Sequence, residues 1–307
     1  MRGGKVLWAL NKVNASLDSL RNASQFIAMD MPLEIDDLLF KYGVRVNNDL
    51  LEDMQCVQLG RKPENDVAQS RDWPYFPRLN PIADHPIVRN MDYILGGFTN
   101  TIDTIRTSGI RKTPLLQSSK YSLKSFTPSR VSLSIMNFPL KYEMFNKSYL
   151  PVAMLLEGKF HSAYNNILAP EYLRLLDSIK APFKAICDSD NKMIVVSVGD
   201  IFTSDYSVKG GLLPMGYNKW SGEYFANKRF LLNCLEYLTD KSGVLEARSK
   251  QMKLRLLDNG RAKDEQTKWQ TVNVALPIVA VLLFASVYLF FRKRRYETKH
   301  VTTKTLS

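Results

Sequence analysis

The sequence predicts an α/β body on a largely parallel sheet, followed by a helical stem and one transmembrane helix. Three observations carry this. Lys192–Asp200 (KMIVVSVGD) and Val152–Gly158 (VAMLLEG) are strand-length apolar runs, the pattern of strands buried on both faces. Helical stretches such as Pro170–Ile179 alternate with them, as in α/β proteins. Val272 to Phe291 is an uncharged run of about the length that spans a ~30 Å hydrocarbon core at 1.5 Å per residue. The expected boundaries are 1–222 for the body, 223–271 for the stem, 272–291 for the membrane helix and 292–307 for a basic tail.

Each element has its own signal. Gly3–Leu10 (GGKVLWAL) reads as a short buried strand entered from a glycine turn. Ser16 to about Ser24 reads as a short helix, and Met31-Pro32 as a break. Ile35–Gly43 opens on Asp36 and Asp37 and closes on Gly43, the marks of a capped helix, with a strand starting at Val44–Val46. Residues 60–72 read as a polar surface loop. Trp73–Pro86 carries Pro74, Pro77, Pro81 and Pro86 and is expected to resist regular structure. A strand is expected near Gly97–Ile102 and another at Pro114–Gln117, before a Ser/Lys-rich loop at Ser118–Ser129. From Glu223, Phe225, Phe230, Leu231, Leu235 and Leu238 recur at near-helical spacing until Asp240-Lys241-Ser242-Gly243. Val244–Leu257 and Arg261–Thr271 continue the charged stem.

The chain has 307 residues, 45% hydrophobic and 23% charged, with net charge +12. That is enough apolar material for one large core or two modest ones. The tail 292–307 holds six basic residues against Glu297, leaving +7 for the rest. No Lys/Arg run interleaved with aromatics suggests nucleic acid. Cys56, Cys187 and Cys234 are odd in number, widely spaced and flanked by apolar residues, so they read as buried free thiols rather than a disulfide or zinc framework.

Trp269 and Tyr288 sit near the ends of the apolar run and Pro277 in its first turns, all tolerated in a spanning helix. Arg292, Lys293, Arg294 and Arg295 follow at once, which favours a cytoplasmic tail and an exported body. Trp269 and these four basic residues are the expected anchors in the lipid bilayer of the inner membrane. The opening MRGGKVLWALNKVN has no apolar leader. An exported body then implies an upstream signal or membrane helix, and a strand so near the start reads as the C-terminal portion of a longer domain.

No GxxxxGK[ST] loop, GxSxG elbow or HExxH pair occurs. No cofactor, metal or catalytic residue is expected. Two loops carry a candidate ligand site: Glu157, Lys159 and His161 after one strand, and Asp200 after another, since open α/β sheets bind ligands at strand C-terminal ends. The alternative is that Gly158 and Gly199 only turn the chain and the polar side chains are solvated. A membrane-anchored hydrolase with a dispersed site is a third reading.

Several stretches carry a family resemblance. They are GGKVLWAL (3–10), DDLLFKYGVRVNNDL (36–50), WPYFPRLNP (73–81), HPIVRNMD (85–92), LLEGKFHSAY (155–164), NKRFLLNCLEYLTD (227–240), KLRLLD (253–258) and KWQTVNVALP (268–277). In them the chain resembles the gliding-motility GldG family of Bacteroidetes-type bacteria, membrane accessory components of ABC transporters. The resemblance implies an exported body with an amidotransferase-like or flavodoxin-like fold. It implies partners too: a polytopic permease and a separate ATPase. The role implied is non-enzymatic and accessory, with a ligand-binding subunit as the alternative. Amidotransferase chemistry is not carried over, because Cys187 lacks a glycine elbow.

Overall fold

The computed structural model describes residues 1, 3–60, 71–82, 84–165, 167–207, 210–240 and 266–300, with the side chains of the last helix described over 268–295. The chain forms two units, Met1–Gln251 and Met252–Ser307. Of the expected 223–271 stem, residues 241–265 lie outside the described residues, as do most of the 60–72 loop and the tail beyond 300.

In the first unit the elements run β1 (Val6–Ala9), β2 (Val13–Asn14), β3 (Gln25–Asp30), α1 (Asp36–Lys41), β4 (Val44–Val46), β5 (Asp49–Asp53), β6 (Cys56–Leu59), β7 (Arg71–Pro81), β8 (Ile94–Leu95) and β9 (Ile102–Thr104). They continue with β10 (Ile110–Gln117), β11 (Ser122–Phe126), β12 (Ser129–Ser132), β13 (Pro151–Gly158), α2 (Pro170–Ser178), β14 (Asn191–Val196), β15 (Tyr206–Ser207), β16 (Gly211–Leu212) and α3 (Asn227–Thr239). The main sheet has the order β1-β14-β13-β10-β7-β6, with β8 added to β7. It is a mixed sheet curled into a half-barrel.

The strand directions correct the expectation of a largely parallel sheet, such as a flavodoxin-like one. β1 and β14 run parallel, while β14–β13, β13–β10, β10–β7, β7–β6 and β7–β8 are antiparallel. The apolar runs are nonetheless real. Leu7, Ala9, Ala153, Leu155, Ile194 and Val196 face one core, and Val6, Trp8, Met154, Leu156, Met193 and Val195 face another. Side chains alternate along a strand, so a sheet covered on both faces is apolar at every position whichever way its strands run. Continuous hydrophobicity reports two covering layers, not direction.

The first face is covered by α3, which buries Phe230, Cys234 and Leu238, and by Ile87, Val88 and Ile94. Residues 227–239, the start of the expected helical stem, pack against the main sheet. The second face is covered by α1, through Leu39 and Tyr42, together with Val44, Val46 and Ile102. α1 ends as expected on Gly43 at φ +88°, a conformation that suits glycine at a helix terminus. A third cluster joins the small sheet β12-β3-β2 to Trp73, Tyr75 and Phe98.

Four local expectations also change. The proline-rich stretch contains the eleven-residue strand β7. Trp73 pairs with Val57 and Pro77 with Cys56, so the intervening Pro74–Phe76 bulge away from β6, where a missing N–H costs no ladder bond. Ser118–Ser129 contains β11, antiparallel to β5. Thr99, Asn100 and Thr101 are fully buried but form no strand. They bond in two directions, Thr99 and Thr101 carbonyls accepting from Leu51 and Asn47 while the Asn100 N–H donates to Ser197. The stretch read as a helix over 16–24 is a 3-10 turn at Leu17–Leu20, capped by Ser16 Oγ.

The second unit contains α4 (Gln266–His300), with Pro277 inside it. Its segment Lys268–Arg295 is long and apolar enough to cross a membrane. Trp269 lies at one end of that segment and Arg292–Arg295 at the other, with the Arg294 guanidinium 5.2 Å from the Phe290 ring centroid.

Candidate functional site

The expected ligand residues are divided between two places. Glu157 lies opposite Lys192 in the antiparallel β13–β14 ladder, and Ala153 lies opposite Val196. Four residues of strand, about 13 Å at ~3.3 Å each, therefore separate Glu157 from the end of β14 that leads to Asp200. Parallel strands would have brought the two acids to one rim; antiparallel pairing sends them to opposite rims.

At the Glu157 rim the side chain is largely buried. It accepts from Tyr237 Oη at 2.7 Å and from Arg111 Nη2 at 2.5 Å. Burial alone would raise this carboxyl, but the Tyr237 hydroxyl, the Arg111 guanidinium and Lys192 outweigh it and hold Glu157 below the usual range. Lys192 Nζ sits 3.8 Å from the Tyr237 ring centroid. These groups border a cleft of about 610 Å³ lined by Arg111, Glu157, Gly158, Asp190, Asn191 and Lys192. A Cβ on Gly158 would stand 2.0 Å from the Gly109 carbonyl oxygen, so glycine at this turn, φ +143°, permits the close approach of β13 to the start of β10.

Lys159 and His161 are exposed and line neither this cleft nor the larger one described below. Phe160 between them is buried and packs edge-to-face on Tyr42 at 5.1 Å. The same loop is tied down by Lys41 Nζ to Ser162 O at 2.6 Å and by Ser162 N to Ala185 O at 2.7 Å. Alternation around a buried phenylalanine is what turns Lys159 and His161 outward.

Asp200 is exposed and borders a cleft of about 1570 Å³. Its lining includes Phe76, Arg78 and Phe98 together with the segment 216–223. Arg78 Nη2 donates to both carboxylate oxygens of Glu223 at 3.1 and 2.9 Å, and Arg78 Nε donates to Cys56 O at 3.1 Å. Asn227, at the foot of α3, donates to Leu95 O and Ile201 O and accepts from Leu95 N, fixing three elements at the cleft floor. Lys219 pairs with Asp205 at 2.8 Å, and Trp220 stands 44% exposed beside them. None of 216–223 stands out in the sequence; its signal is only the glycines and aromatics of GYNKWSGE.

A buried acidic strand also escapes sequence reasoning. Asp49, Glu52 and Asp53 on β5 are all buried. Asp53 accepts from Ser119 N, Ser119 Oγ, Gln55 N and Ser122 Oγ; Asp49 accepts from Thr101 N and Oγ1. Burial pushes all three carboxyls up against the pull of these donors. The Ser-rich stretch at 118–125 supplies donors to Asp53 and Glu52, and Thr101 supplies those of Asp49.

The three cysteines are buried free thiols. Burial raises Cys56 to about 12 and pushes Cys234 up as well, so both stay protonated thiols. Among the described residues no group of three or more His, Cys, Asp and Glu is arranged to hold a metal ion.

No curated protein and no solved structure gives a significant match to the chain. The family model described as an ABC-type uncharacterized transport system matches residues 1–234. That match covers most of the sequence and all of the main sheet, both clefts and the greater part of α3. The chain belongs to this family of ABC-type transport system proteins.

Proposed function

We propose that this protein is a non-enzymatic, membrane-anchored accessory component of an ABC transport system that serves gliding motility. The observation that carries the reading is the combination, in one chain, of the transport-system family over 1–234 with a helix over 268–295 long enough to span a bilayer. The body lies outside the cytoplasmic membrane and the Arg292–Arg295 end inside, because dense basic charge beside a spanning helix favours the cytoplasmic face. A polytopic permease and a separate ATPase are the partners, the ATPase supplying the phosphate-binding loop that this sequence lacks. Removing this chain from a gliding cell, with permease and ATPase retained, is expected to stop colony spreading. Unchanged spreading would refute the motility role.

The large cleft favours a second reading, a ligand-binding subunit. An open, mixed aromatic and polar cleft of about 1570 Å³ is roomy enough for a sizeable ligand. Thermal-shift screening of the full chain in detergent against sugars, peptides and polyanions separates the two. A ligand at 100 times its Kd stabilises by about 2.7 kcal/mol, and a shift abolished by Trp220→Ala would favour binding.

A further inference from the structure

One face of the first unit gathers exposed aromatic and basic side chains that its core does not use. Residues 119–122 and 147–149 are locked together: Ser122 and Lys147 exchange backbone hydrogen bonds at 2.8 and 2.9 Å, and Tyr149 N donates to Ser119 O at 2.9 Å. A 3-10 turn at Tyr142–Met144 is pinned beside them by Phe145, which is buried. The Tyr121 and Tyr142 rings meet edge-to-face at 5.1 Å. Tyr142 is 64% exposed, Met144 58% and, four residues earlier than Tyr142, Phe138 72%.

The charge on this face is mainly basic, with Glu143 as its exposed acid. Lys120, Lys141 and Lys147 are exposed and make no ion pair among the described residues. From Ser118 to Tyr149 there are five basic residues and a single acid, Glu143. Helix α2 offers a contrast: its exposed Tyr172 and Leu175 are interspersed with Glu171, Arg174 and Asp177, an apolar ridge without basic excess.

Tyrosines and lysines together on an exposed, locally fixed surface match a bilayer interface, where amphipathic rings sit at headgroup level and lysines meet lipid phosphates. We propose that the face carrying Tyr121, Tyr142 and Met144 with Lys120, Lys141 and Lys147 rests on an anionic bilayer surface. The inference depends on the anchored reading above, and its test reports the two separately.

The experiment uses the full chain reconstituted in vesicles of phosphatidylcholine, alone or mixed with phosphatidylglycerol, containing nitroxide-labelled lipid. An environment-sensitive fluorophore is placed at Tyr142→Cys, at Tyr172→Cys on α2, or at Val281→Cys in α4; the native thiols are buried. Quenching is expected at 281 in both lipids, and at 142 but not 172 in phosphatidylglycerol vesicles. The 142 signal should drop about twofold or more at high salt, which screens surface charge, or with Lys120→Glu, Lys141→Glu and Lys147→Glu combined. An unchanged unfolding midpoint for that variant would show that it remains folded. Quenching at 281 with none at 142 would overturn this proposal and leave the anchor standing. No quenching at 281 would overturn both. Shielding of 142 only when the permease is co-reconstituted would make the face a protein interface and refute the lipid assignment.

Discussion

Glu157 and Asp200 stand at opposite rims of the main sheet, because β13 and β14 are antiparallel and Glu157 faces Lys192 rather than the end of β14. The four polar residues singled out by the sequence therefore do not form one site. Lys159→Ala, His161→Ala and Asp200→Ala should each change stability by about 0.5 kcal/mol or less, as exposed side chains usually do. Their double mutants should be additive, since separated residues without shared partners do not couple. Chemical denaturation of the single and double mutants checks this, and coupling between His161 and Asp200 would contradict the topology.

Glu157 is the exception among the four, through its hydrogen bond with Tyr237. Tyr237→Phe removes the hydroxyl while keeping the ring between Lys192 and His85. The loss should be about 1.5–3 kcal/mol at neutral pH, typical of a hydrogen bond to a charged acceptor. Glu157 is held below its ordinary range, so its contribution is present above the unfolded glutamate value and is lost as pH falls through the folded one. The gap between wild type and variant in urea melts should therefore narrow in acid.

α3 divides sharply into a buried face and an exposed one. Phe230 and Cys234 are fully buried, whereas Leu235 is 44% exposed. Phe230→Ala should cost about 3–5 kcal/mol, and Leu235→Ala under about 1 kcal/mol. Thermal melts of the two variants give the comparison. Equal losses would mean that α3 packs through a different face.

The buried acids of β5 respond to pH in the opposite sense to Glu157. Asp49, Glu52 and Asp53 have raised carboxyls, so their contribution is fully present below the unfolded carboxylate range and is withdrawn as pH rises through the folded values. Asp49→Asn can keep its bond from Thr101 N on one oxygen and turn its amide toward Thr101 Oγ1. It should be tolerated, and its stability relative to wild type should improve from acid to neutral pH. Both oxygens of Asp53 accept from backbone N–H groups, Gln55 and Ser119. Asp53→Asn must point an amide at one of these donors, and should cost about 1–3 kcal/mol more than Asp49→Asn.

Much of this was legible in the sequence, and the reasons for the rest are physical. β13, β14, α1, β4 and α2 sit within a few residues of their expected places, because apolar runs and caps are local signals. The three buried thiols follow from their apolar neighbours. Strand direction did not follow, because Val195 and Val196 are apolar for two different cores and would be so in either orientation. Misreading direction then misplaced the candidate site, since it joined Glu157 to Asp200. β7 was hidden by its prolines, of which Pro74 falls in a bulge while Pro77 and Pro81 are paired in the sheet. The Asp49–Asp53 cluster was hidden because its partners, Thr101, Ser119 and Ser122, arrive from distant parts of the chain.

The most direct test of the accessory reading is purification of the tagged full chain from its native membrane in mild detergent, with quantification of what accompanies it. The account predicts one multi-span permease and one ATPase, enriched together and lost when α4 is deleted. Recovery of the chain from the membrane without a permease, at normal abundance and with the helix intact, would contradict it.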